Sequence, residues 1–251
     1  MKLFRLTKLV LCMSLLSNIS LNAENTIHAK FETPQVIITG NADDPAIWVN
    51  EVESNLSIVF GTDKYNGIYS YDLDGNILGF SKSGSMNNID LRSIDNKTYV
   101  FATDTSNNTI NLWVYEDIDL DIASKEGKFS LREKPDFSGD TNFLAYGACA
   151  GISQANELIV FVTEAKGSGV QLWIFNDRKL NLLRIFNNSD AYESEGCVFD
   201  DENNLLFISE ENKKGVLRSK TILFAKLIVL RRRCVKERTP HKTQNKNSTS
   251  F

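Results

Sequence analysis

Leu158-Ile159-Val160-Phe161-Val162-Thr163-Glu164 is an unbroken apolar run, rich in β-branched residues, that ends on a hydroxyl and a carboxylate. It is too short for an amphipathic helix, and its composition favours an extended chain, so it reads as a buried strand. The pattern recurs as Leu56-Ser57-Ile58-Val59-Phe60-Gly61-Thr62-Asp63, Thr98-Tyr99-Val100-Phe101-Ala102-Thr103-Asp104 and Leu205-Leu206-Phe207-Ile208-Ser209-Glu210. A second strand pattern follows each copy, at 67–71, 110–115, 170–175 and from Gly215-Val216-Leu217 onward; another precedes each, at 45–49, 89–94, 146–152 and 195–199. Some units add a fourth strand, at 76–80 and 182–186. No amphipathic helix of convincing length intervenes. Three or four short antiparallel strands repeating about every 40 to 60 residues describe the blades of a β-propeller, so the expectation is an all-β chain. The blades are expected near 40–80, 85–135, 140–188 and 190–218.

In such a fold the turns at one end of the blades gather around the axis. The recurring Asp63, Asp104, Glu164 and Glu210 would then converge as one acidic mouth; the alternative is that each acid simply forms the turn that ends its strand. A second acidic feature is Asp43-Asp44-Pro45-Ala46-Ile47-Trp48-Val49. Pro45 has no N–H to give a ladder, which places the two acids at a strand entrance, not inside a sheet. Converging hard oxygens suit Ca²⁺, with a solvated surface turn as the competing reading.

The ends differ from the body. Residues 1–23 carry Lys2, Arg5 and Lys8 ahead of Leu9-Val10-Leu11-Cys12-Met13-Ser14-Leu15-Leu16 and the small Ala23, the pattern of a secretory signal peptide, followed by a leader at 24–37. This predicts a secreted or periplasmic protein, with no transmembrane segment in the mature body. The net charge of −4 divides into +3 on the signal, +9 on 218–251 (ten basic residues against Glu237) and −16 between them. So acidic a body argues against nucleic acid and fits a protein that gathers divalent cations, although a soluble acidic surface is equally compatible. Cys149 and Cys197 lie on equivalent first strands of adjacent units; in an oxidising compartment they either pair or stay as two buried thiols. The only histidines, His28 and His241, lie outside the repeats, which excludes a histidine phosphatase or an imidazole-held zinc site in the body.

The motifs Asp43-Asp44-Pro45-Ala46-Ile47-Trp48-Val49, Thr62-Asp63-Lys64, Tyr71-Asp72-Leu73-Asp74-Gly75, Asn87-Asn88-Ile89-Asp90-Leu91-Arg92, Tyr146-Gly147 and Glu195-Gly196-Cys197-Val198-Phe199-Asp200-Asp201-Glu202 resemble, in order and spacing, those of the β-propeller phytases. The resemblance covers 38–217. It implies a six-bladed design, of which about four blades are represented, and a secreted, calcium-dependent phosphomonoesterase. The implied substrate is phytate, myo-inositol hexakisphosphate, taken as its calcium complex by a protein expected as a monomer. By the same resemblance, Asp43 and the backbone at Asn88 and Ile89 would hold one Ca²⁺, and Asp44 with the carbonyls of Pro45 and Ile89 another. Glu195 and Glu211 match the carboxylates of the catalytic calcium cluster, Lys64 and Tyr146 match phosphate contacts, and Lys166 matches a further one if the alignment slips by one residue. Arg92 is expected to pair with an acid between blades.

Two departures from the family pattern stand out. Thr105 occupies the place of a phosphate-binding arginine, and residues 218–251 replace the repeating acidic text with a basic tail. The tail suggests a frame shift or truncation, or else a segment for an anionic membrane surface. The alternative to a phytase is therefore a non-catalytic calcium-binding propeller or an inactive truncated homologue.

Overall fold

The computed structural model describes residues 29, 31–34, 42–187, 193–210, 215–220 and 228–230, the last two stretches as backbone. The chain divides into units Met1–Glu32 and Thr33–Phe251, and every element below belongs to the second.

Hydrogen bonding groups the strands into four separate four-stranded antiparallel sheets, each taking consecutive strands in chain order. The first blade holds β1 (Ala42–Trp48), β2 (Ile58–Asp63), β3 (Gly67–Tyr71) and β4 (Ile77–Ser81). The second holds β5 (Met86–Ile94), β6 (Lys97–Asp104), β7 (Thr109–Glu116) and β8 (Phe137–Asp140). The third holds β9 (Ala145–Ile152), β10 (Leu158–Glu164), β11 (Gly169–Asn176) and β12 (Lys179–Asn187). The fourth holds β13 (Ser194–Asp200), β14 (Leu205–Glu210), β15 (Gly215–Lys220) and β16 (Ile228–Leu230), so its strand pairs extend past residue 217. This is the all-β propeller architecture anticipated by the repeat.

The blades pack face to face, which explains the unbroken apolar strands. A strand buried on both sides sends alternate residues into two different cores. On β6, Val100 and Ala102 face the core shared with the first blade while Phe101 faces the core shared with the third. On β10, Val160 and Val162 join the second blade's core, and Ile159 and Phe161 pack toward Phe199, Leu206 and Ile208 of the fourth. Cys149 on β9 and Cys197 on β13 form a disulfide between the third and fourth blades, with Cα atoms 5.6 Å apart.

Two elements depart from expectation. A helix, α1 (Asp117–Glu126), follows β7 and ends at Gly127, whose φ of 66° closes the last turn in the left-handed conformation. Only Leu120 and Ser124 of α1 are buried, while Ile118 and Ile122 stay exposed, so no apolar stripe marks it in the sequence. The strand of Asp43 and Asp44 also starts earlier than Pro45, at Ala42. Ala42 pairs with Asp63 and Pro45 with Gly61, so three steps on β1 oppose two on β2: the acids occupy a β-bulge, which dispenses with the N–H that Pro45 lacks.

The same bulge sits at the same place in the first strand of each blade, the inner strands β1, β5, β9 and β13. Met86 and Ile89 pair with Asp104 and Ala102, Ala145 and Ala148 with Glu164 and Val162, and Ser194 and Cys197 with Glu210 and Ile208. The doublets in the bulges are Asp43-Asp44, Asn87-Asn88, Tyr146-Gly147 and Glu195-Gly196.

Candidate active site

Bulges twist a strand and re-aim its side chains. Here they turn residues from separate blades toward one another around Lys64, the residue following β2. Its Nζ lies 3.1 Å from Asp43 Oδ1 and 3.7 Å from Glu195 Oε1, and 5.7 Å from the centre of the Tyr146 ring. Asp43 and Lys64 come from the first blade, Tyr146 from the third and Glu195 from the fourth.

The cluster carries unbalanced negative charge in a half-buried setting. Burial raises the Asp43 carboxyl above its ordinary value, the Glu195 charge adds to that, and the Lys64 hydrogen bond and charge only partly offset it. Burial works to lower the Lys64 ammonium, but Asp43 and then Glu195 outweigh it and hold its pKa above the ordinary value. The pair thus favours the lysine's charge more than the aspartate's, because Asp43 loses more to burial than Lys64 returns. Asp44 is pushed up to about 6, chiefly by burial, although its Oδ2 accepts the Ile89 N–H at 3.0 Å and its carboxylate also bonds the Asn88 side chain. Asp44, Asn88 and Ile89 therefore meet at the seam between the first and second blades, beside Pro45.

Other expected residues fall elsewhere. Lys166 sits exposed at the tip of the β10–β11 turn with φ 55°, with no hydrogen bond or ion pair to the cluster among the described residues. Glu211 lies outside the described residues. Thr105 is tied to the segment that enters β5, its N–H and hydroxyl both donating to the Ser85 carbonyl.

Three of the four recurring strand-end acids, Asp63, Asp104 and Glu164, serve their own turns and not a shared acidic mouth. Asp63 accepts from the Tyr65 N–H and the Asn66 amide, Asp104 from Ser106 and Asn107, and Glu164 from the Gly169 N–H. Each holds the hairpin that follows its strand, and Asp63 and Asp104 are buried in doing so. Arg92 pairs between blades as anticipated: its Nε donates to Asp201 Oδ2 at 3.0 Å, while Nη1 reaches Asp90 and Nη2 the Phe199 carbonyl. Asp90 and Asp201 in turn accept the Ala150 and Ile152 N–H groups of β9, so one guanidinium ties three inner strands together.

The donor set around the cluster matches the ligand chemistry of Ca²⁺. Its groups are hard oxygens, namely the Asp43, Asp44 and Glu195 carboxylates and the Asn88 amide, and both aspartates are held above the ordinary carboxylate value chiefly by burial, a cost to their charge that a bound divalent cation would offset. These residues fit the ion chemically. Among the described residues no three His, Cys, Asp or Glu are grouped so as to enclose a metal, so the described side chains do not form a complete cage. Sequence reasoning named the site doublets but not the threonines opposite them, Thr62, Thr103 and Thr163, although these stand in the same repeat just before the acid.

Comparison with known proteins agrees with this arrangement. The sequence model of the phytase family matches residues 3–219. A 3-phytase of Bacillus subtilis (strain 168) is 32% identical over 183 residues, which cover 68% of this chain and 46% of the relative; the chain spans about half of that relative's length. Among solved structures, a protein from Lactobacillus plantarum aligns over 76% of this chain and 55% of its own with a TM-score of 0.50, at 12% identity, a likeness of fold alone. The β-propeller domain of Cps50 (Swd1) from Myceliophteria thermophila aligns over 73% and 54% with a TM-score of 0.49 and 12% identity. The match across 3–219 and the bulge doublets that carry Asp43, Tyr146 and Glu195 lead to one assignment: the chain belongs to the β-propeller phytase family.

Proposed function

We propose that this chain is a phytase-like phosphomonoesterase that binds phytate as its calcium complex and releases inorganic phosphate. The observation that carries the reading is the convergence of Lys64, Asp43, Tyr146 and Glu195 from three blades. Phytate is strongly anionic and the body of the chain is acidic, so direct contact is repulsive unless cations intervene. Asp43, Asp44 and Glu195, with the oxygens of Pro45, Asn88 and Ile89, are the groups that would hold Ca²⁺. When bound, the ion supplies charge against the phosphate oxygens and lowers the pKa of a coordinated water.

The chain's own residues supply the rest. Lys64 is a mobile point charge with three donors, shared here by two carboxylates. Turning it to a phosphate oxygen leaves Asp43 and Glu195 uncompensated, so its release for substrate is favourable only if another cation takes its place. That ties substrate binding to calcium. Tyr146, whose ring centre lies 5.7 Å from Lys64 Nζ, carries a hydroxyl that can donate to a second phosphate oxygen, and both contacts would orient the ester against the carboxylates. The Cys149–Cys197 disulfide supports placement in a secreted or periplasmic, oxidising compartment.

The test is release of inorganic phosphate from phytate by the full chain, with Ca²⁺ and with a chelator. Release that the chelator abolishes is the expected result. Absence of chelator-sensitive release would remove the phosphatase reading and leave a calcium-binding propeller.

A further inference from the structure

We propose that Thr62, Thr103 and Thr163 are positioning residues for this site: their hydroxyls replace the ladder bonds lost at the bulges and pass them to the next blade, setting the register in which the site doublets meet. The inference rests on the calcium-site reading above.

A bulge takes an inner-strand N–H out of the backbone ladder of its sheet, and a buried N–H left unpaired costs about 1–3 kcal/mol. In the first three blades the threonine opposite the bulge takes it. Thr62 Oγ1 accepts from Asp44 N at 3.0 Å, Thr103 Oγ1 from Asn88 N at 3.2 Å, and Thr163 Oγ1 from Gly147 N at 3.0 Å. A hydroxyl carries one hydrogen besides its lone pairs. Thr62 gives its hydrogen to the Asn87 carbonyl at 2.6 Å, Thr103 to the Tyr146 carbonyl at 2.5 Å and Thr163 to the Ser194 carbonyl at 2.5 Å. Every one of these acceptors belongs to the next blade's inner strand, within or beside its own bulge. All three threonines are buried, and β-branching restricts the rotamer that aims each hydroxyl. In the fourth blade the equivalent Ser209 instead donates back to Gly196 of its own sheet, at 3.1 Å.

The chain of contacts runs from Asp44 through Thr62 to Asn87, from Asn88 through Thr103 to Tyr146, and from Gly147 through Thr163 to Ser194, the neighbour of Glu195. A metal site assembled across blades takes part of its precision from these links, which act at the bulges themselves, beside the Arg92 contacts and the Cys149–Cys197 disulfide farther along the same strands. The threonines touch neither metal nor substrate in this account; they act through the residues that do.

The experiment compares Thr103→Val, which keeps the shape and removes the hydroxyl, with Thr103→Ser, which restores it, in the full chain. Thr98→Val is the control: Thr98 is equally buried on β6, but its hydroxyl bonds Asp117 and Ser93 at the other end of the strand. Ca²⁺ affinity is measured by calorimetric titration, and stability by thermal melting in chelator. Thr103→Val is expected to weaken Ca²⁺ binding by about 10- to 100-fold, the usual effect of removing a group that orients a ligand, with Thr103→Ser recovering most of it. Thr98→Val should lower the melting temperature and leave the affinity unchanged. Wild-type affinity in Thr103→Val, or an equal loss in Thr98→Val, overturns the proposal. Wild-type protein that binds no Ca²⁺ overturns it in a different way, by removing the site on which it rests. Thr62→Val and Thr163→Val repeat the test, so misfolding of one variant leaves two that decide.

Discussion

A Cβ on Gly147 would lie 1.7 Å from the Glu195 carbonyl oxygen, so the inner strands of the third and fourth blades approach more closely there than any side chain permits. This close approach brings Tyr146 and Glu195 to the same Lys64. Gly147→Ala must push the two strands apart, and is expected to cost about 1–3 kcal/mol or more, as overpacking does in well-ordered interiors. Urea unfolding measures it; a change of only a few tenths would mean that the strands separate freely.

The Cys149–Cys197 bridge fastens the same seam across a sequence separation of 48 residues. Chain-entropy arguments assign a loop of that length about 4 kcal/mol. Cys149→Ser with Cys197→Ser is therefore expected to lower unfolding free energy by an amount of that order, and added reductant should destabilise the wild type but not the double variant. Equal sensitivity to reductant in both proteins would contradict the bridge.

Asp44 gives a pH signature. Its carboxyl is held at about 6 in the folded chain, above the ordinary 3.8, so between those values the folded state carries more protons than the unfolded one. The contribution of this group to stability therefore falls as pH rises through that window. Asp44→Asn keeps an oxygen for the Ile89 N–H and removes the charge. In chelator, unfolding measured from about pH 4 to pH 6 should lose its Asp44-dependent decline in this variant, and an identical pH slope in both proteins would rule out the buried charge as its source.

Much of this architecture was legible because one physical pattern repeats. Strands buried on both faces read as unbroken apolar runs, and four copies of one run ending in Thr-Asp, Thr-Glu or Ser-Glu imposed blades before any contact was known. The site doublets were legible as motifs, and so was the inter-blade role of Arg92. The use of the strand-end acids was not. Asp63 and Asp104 look alike whether they face a channel or accept the N–H groups of their own hairpins, because the choice depends on where the bulge turns the strand. The bulge was hidden for the same reason: an extra residue changes pairing, not composition. Helix α1 escaped because it buries so little of itself, and the threonines because their partners lie on the following blade.

Residues in the bulges of separate blades are proposed to form one phosphate site around Lys64. Phosphate release from phytate in the presence of Ca²⁺, measured side by side for wild type and Lys64→Met, tests it most directly. Removing one donor to developing phosphate charge is expected to lower the rate by about 10²- to 10³-fold while the variant still melts cooperatively. A Lys64→Met protein that releases phosphate at the wild-type rate would contradict the account.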